Sequence, residues 1–111
     1  MNKHEHQLHH LHHDENGFIG YCPQCSSIHL AFGVAMSAME HEAFTLWYQK
    51  VVDEYHAFQH KICPHAKHFV FETDSPNIRM VFNWKELHQL IHLIEPGLMV
   101  LEARRIINAS Y

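Results

Sequence analysis

Apolar and polar positions change rhythm several times along the chain, and each change predicts an element. The first sixteen residues, MNKHEHQLHHLHHDEN, hold almost no apolar positions. From Phe18 onward, FIGY and SSIHLAFG are rich in β-branched and aromatic residues on either side of CPQC. They predict two short strands joined by a tight reversal. After Gly33 the chain turns back through VAMSA. Phe44, Trp47, Tyr48, Val51 and Tyr55 then fall at the three-and-four spacing of one helical face. That spacing predicts a helix over about residues 39–60 whose apolar face is core. Ser37 and Glu40 have the spacing of a capping box at its start.

The second half follows a similar order. KHFVFETDSPNIRMVFN alternates around DSPN and predicts a hairpin. Asn83 and Glu86 form a second capping-box pattern, and Leu87, Leu90, Ile91 and Ile94 predict a second amphipathic helix. Pro96-Gly97 predicts a break, after which LMVLEARRII predicts a short third helix. The expected class is α+β: one small antiparallel sheet with two amphipathic helices, in the order ββαββα plus a short C-terminal helix. Because ββα occurs twice, a duplication is suggested, although the identities are few; it would place CPQC and ICPH at equivalent ends of one sheet.

Composition sets the boundaries. A length of 111 residues fits one small domain with a modest core. Six histidines in the first sixteen residues, with so few apolar partners, predict a disordered His-rich arm over residues 1–16. A single α+β domain is expected over residues 17–111. The arm's histidines are broken by Gln7, Leu8 and Leu11, unlike the uninterrupted run of an affinity tag. Eight Lys plus Arg against twelve Asp plus Glu give a net charge of -4, and no basic cluster exceeds Arg104-Arg105. Nucleic acid and anionic membrane are therefore not expected as partners. No apolar run approaches the roughly 18 residues of a spanning helix. The odd count of three cysteines fits a reducing, cytoplasmic compartment better than a closed disulfide framework.

The cysteines carry the chemistry. A redox CxxC gains its low thiol pKa from a helix N-terminus, but the residues after CPQC read as a strand. Two thiolates on a tight turn instead offer half of a tetrahedral zinc site. The other half is expected from Cys63, with His65, His29 or His68 as the fourth ligand. The alternatives are reduced, partly buried thiols without chemistry, and a hydrogen-bonded His29 that ligates nothing. His56 with His60, and His88 with His92, stand at the i,i+4 spacing of a chelating pair but lack the Glu of HExxH. They read as solvent-facing. The six imidazoles of the arm can capture Zn, Ni or Cu ions loosely. There is no nucleophile elbow, no phosphate-cradling glycine loop and no close set of carboxylates, so an enzyme is not the favoured reading.

CPQCSSIHLAFG, EHEAF, KELHQLIHLI and the closing LEA together look like a small bacterial domain family of unknown function. That family shows a CxxC, a following [His/Gln]-Leu-Ala-Phe-Gly strand, a Glu-x-Phe helix and a Glu-Leu-x-x-Leu helix. The resemblance spans about residues 18–105 and implies the order of the fold, but no activity. Similar sequences can carry Gln in place of His29, which weighs against that residue as an obligatory ligand. The expected function is a non-catalytic zinc-binding module that meets an as yet unknown protein partner or handles metal. A thiol-disulfide oxidoreductase and a metal-free interaction domain are the alternatives.

Overall fold

Strands β1 (His9–Asp14), β2 (Gly17–Cys22), β3 (Ser27–Phe32) and β4 (Ala35–Glu40) form an antiparallel meander in that spatial order. The computed structural model describes residues 8–58, 65–67, 69–73 and 75–109, without the side chains of Asn108 and Ala109. Alternation aims Ile19 of β2, Ile28 and Leu30 of β3 and Met39 of β4 into the core. Helix α1 (His41–Ala57) follows and buries Phe44, Trp47 and Val51, with Tyr48 and Tyr55 half-buried. A separate two-stranded sheet, β5 (Phe69–Glu72) with β6 (Arg79–Phe82), adds Phe69, Phe71 and Phe82. Helix α2 (Trp84–Ala109) closes the chain and buries Leu87, Leu90, Leu93, Ile94 and Leu101.

The α+β class, both main helices and the DSPN hairpin are as the pattern predicts. Four details differ. Residues 9–14, expected in the disordered arm, are strand β1, paired to β2 along its length. A register shift between His10 and His12 interrupts the alternation, and Leu11 enters the core with 6% of its surface exposed. The domain therefore begins before residue 17. Second, the segment after Gly33 is a full strand, so among the described residues four strands precede α1. Gly33, at φ +61, starts a two-residue hairpin that pairs Phe32 with Ala35. The first sheet has four strands and the second two, so the expected single sheet and the duplicated ββα order do not describe the fold.

Third, α1 starts one turn later than Ser37 implies. Ser37 lies within β4, and Glu40 caps α1 by accepting from the Ala43 backbone N–H at 3.3 Å. Fourth, α2 runs unbroken through Pro96, with no separate third helix. An interior proline costs roughly 3 kcal/mol of helix stability. Leu93 and Ile94 before it and Leu101 after it are all buried, so packing on both sides of the proline holds the helix together. Gly97 faces the sheet so closely that a Cβ there would stand 2.5 Å from Ile19 Cγ2. Its neighbour Pro96 therefore sits where helix and sheet are in direct contact.

The capping box at the start of α2 forms as expected. The Asn83 N–H donates to Glu86 Oε1 at 2.9 Å, and the Glu86 N–H donates to Asn83 Oδ1 at 2.6 Å. Burial pushes the Glu86 carboxyl up, but hydrogen bonds from Lys67 and the Asn83 N–H, with the Lys67 charge, outweigh it and hold the carboxyl below its usual range. A carboxyl depressed in the folded state stabilises it above the unfolded pKa, and that contribution is lost as pH falls through the folded value. Asn83→Ala is expected to cost about 1 kcal/mol at neutral pH. Glu86→Gln should be less stable than the parent at pH 7, and the gap should close as pH drops below the ordinary glutamate value of about 4.3. Urea unfolding at pH 7 and pH 3 measures both.

Candidate functional site

CPQC occupies the β2–β3 hairpin. Cys22 ends β2, opposite Ser27 at the start of β3. Pro23 to Ser26 form the turn, which closes with Ser26 in the left-handed region at φ 52. The Ser26 carbonyl accepts from the His41 N–H at 2.8 Å, fixing the turn to the first residue of α1. Cys22 is 1% exposed, whereas Cys25 is open to solvent. The Cys22 thiol approaches Gln24 Oε1 at 3.5 Å. A hydrogen bond with Cys22 pushes the Cys25 thiol above its usual range, with burial and then Cys22 charge adding in the same direction.

This local structure bears directly on what the pair can do. No helix starts at Cys22, and the chain leaves Cys25 into β3. The CxxC itself therefore does not open a helix as a redox CxxC does, although the N-terminus of α1 meets the turn at Ser26. Two neighbouring thiols on a hairpin can instead lose their protons to a bound cation and share it.

The remaining candidates separate. His29 pairs with Gly20, two residues from Cys22 along β2, so it shares a sheet face with Cys22 and Ser27. Diagonal neighbours of this kind are roughly 7–8 Å apart. Its Nε2 lies 3.2 Å from Ser27 Oγ. His65 is elsewhere, exposed beside Trp84, Lys85 and His88 at the first turns of α2. The CPQC turn lies at the opposite end of that helix. Pro23 lines a groove of ≈ 900 Å³ with Tyr21, Leu101, Arg104 and Ile107. From His88 to Leu101 the helix rises about 20 Å. Cys22 and Cys25 thus share one turn, His29 lies on the sheet face of Cys22, and His65 stands apart beside the first turns of α2. Cys63 and His68 lie outside the described residues. Among the described residues, no group of three or more His, Cys, Asp or Glu is placed to hold a metal ion.

A second cluster was not apparent from periodicity alone. Tyr48, Tyr55 and His56 of α1 face His88, His92 and Glu95 of α2 across a groove of ≈ 330 Å³. The His88 and His92 rings are 4.3 Å apart at their centres, and Tyr55 Oη lies 2.7 Å from His88 Nδ1. Burial, and then the Glu95 charge, push the Tyr48 hydroxyl up to about 12. Burial, followed by His92, lowers the His88 pKa. The i,i+4 spacing of His88 and His92 was visible in the sequence, but their approach to Tyr55 depends on how α1 packs against α2. His60, the spacing partner of His56, is outside the described residues.

The chain belongs to a family of unknown function, DUF6686, whose model matches residues 4–103. That span includes β1 and ends within α2. No curated protein and no solved structure matches the chain. Among the described residues, no helix is long and apolar enough to cross a membrane.

Proposed function

We propose that this protein is a non-catalytic, zinc-binding cytoplasmic module that supports protein contacts or metal handling, with Cys22 and Cys25 as its thiolate ligands. The observation that carries the reading is the placement of both thiols on one hairpin turn that is followed by a strand. His29 lies on the sheet face of Cys22, and Cys63 is the third thiol available to complete the set. The odd count of three cysteines fits a reducing compartment. The partner is expected to be a protein, since the net charge of -4 favours neither nucleic acid nor anionic membrane.

The rival is a thiol-disulfide oxidoreductase with Cys22 attacking and Cys25 resolving. It asks a side chain that is 1% exposed to reach a substrate disulfide, and no helix starts at the CxxC itself. A metal-free interaction domain is the remaining alternative. Elemental analysis of the full-length chain, purified under reducing conditions without chelator, separates them. About one zinc per chain is expected in the parent, falling sharply in Cys25→Ser. Cys25 is the informative position because its exposed side chain contributes little packing. A parent free of zinc would refute the proposal.

A further inference from the structure

We propose that His88 and His92 form a second, exchangeable site for a divalent transition-metal ion, in the groove between α1 and α2 and separate from the cysteine turn. Both residues project from one face of α2, one turn apart, with ring centres 4.3 Å from each other. That is the spacing at which two imidazoles can hold one ion from a single helix.

What distinguishes this pair from ordinary surface histidines is the support behind His88. Tyr55 stacks on Trp84 with ring centres 4.6 Å apart and planes 12° from parallel. Trp84 in turn stacks on His88 at 6.0 Å and 23°. Trp84 Nε1 donates to the Tyr55 carbonyl at 3.3 Å, locking the platform across the two helices. Tyr55 Oη lies 2.7 Å from His88 Nδ1. When Nδ1 carries the proton and donates it to Tyr55 Oη, the lone pair is on Nε2 and free for a metal. An outer partner that fixes tautomer and ring orientation in this way is the usual companion of a ligating histidine.

His56 and Glu95 line the same groove. Among the described residues, no third donor is placed to close the shell. Two imidazoles with solvent in the other positions make an open site. Imidazole pairs suit Ni, Cu and Zn. Such a site exchanges its ion instead of burying it, and it owes nothing to the cysteines.

Trp84 beside His88 provides the reporter. Titration of full-length protein with nickel chloride at pH 7.5 should quench tryptophan emission saturably. His92→Gln removes half of the chelate and should raise the apparent Kd about tenfold or more. Tyr55→Phe should weaken binding by roughly tenfold through loss of the orienting hydrogen bond. His41→Gln, at the first residue of α1 and outside this groove, should retain the parent's quenching curve. Both histidines are exposed, so circular dichroism should match the parent in His92→Gln. As a second readout, nickel should broaden the imidazole proton signals of His88 and His92 before those of other histidines. Identical quenching by His92→Gln and parent, or loss of quenching in His41→Gln, would overturn the site.

Discussion

Deletion of residues 1–16 is expected to unfold the domain, even though these residues read as a polar arm. Strand β1 pairs with β2 from His9↔Tyr21 to Asp14↔Gly17, so its loss strips one edge of the four-stranded sheet. It also removes Leu11, which is buried beside Ile19 and Gly97 of α2. Truncating a buried leucine to alanine alone costs about 2–5 kcal/mol. A small domain has only about 5–15 kcal/mol in total. Leu11→Ala should therefore lower the urea midpoint clearly, and Leu11→Asp should leave little folded protein, since a carboxylate would enter an apolar contact. Circular dichroism and urea titration of the deletion and both variants measure this. A cooperative transition in residues 17–111 with the parent's midpoint would show that β1 adds nothing.

The features hidden in the sequence share a physical cause. Helices α1 and α2 declare themselves because large apolar side chains recur on one face, and Asn83 with Glu86 forms a local cap that needs no tertiary partner. Strand β1 has only Leu11 as its buried residue, and the register shift beside it breaks the period of two. Strand β4, with Ala, Met and Ser in place of β-branched residues, likewise buries one side chain, Met39. Both are edge strands, and their pairing comes from the neighbouring strand and the turn more than from their own composition. The passage of α2 through Pro96 is the opposite case: a strong local break signal overridden by packing on both sides.

The same division applies to the candidate chemistry. That CPQC is a hairpin followed by a strand could be read locally, because β-rich segments flank it. That His65 stands at the far end of α2 could not, because matching the two Cys-Pro turns assumed two equivalent halves. The sheets are unequal, four strands against two, so equivalent order along the chain does not imply equivalent position in space. The Tyr55–Trp84–His88 stack also arises only from the packing of one helix on the other.

The cysteines are expected to respond unequally to substitution, and the differences discriminate among the three functional readings. Zinc bound by a structural site can contribute on the order of 10 kcal/mol or more of apparent binding free energy, which is coupled to folding. If the turn holds zinc, chelator should lower the thermal midpoint of the parent, and Cys25→Ser should lower it similarly while becoming insensitive to chelator. Cys22→Ser should be worse than Cys25→Ser, because it also places a hydroxyl at a site 1% exposed. Cys63→Ser then tests the third thiol: a loss comparable to Cys25→Ser assigns it to the same ion, and a silent change confines the thiolate ligands to the hairpin. Under the oxidoreductase reading, chelator should have no effect on the parent, Cys63→Ser should be silent, and Cys22→Ser should abolish disulfide reductase activity. With neither chemistry, Cys25→Ser should leave both the thermal midpoint and its chelator response unchanged, since an exposed serine replaces an exposed thiol. Thermal unfolding with and without chelator, run beside a disulfide reductase assay on the three variants, reads all of these outcomes. A chelator-insensitive parent that reduces disulfides through Cys22 would replace zinc binding with thiol exchange as the function of this turn.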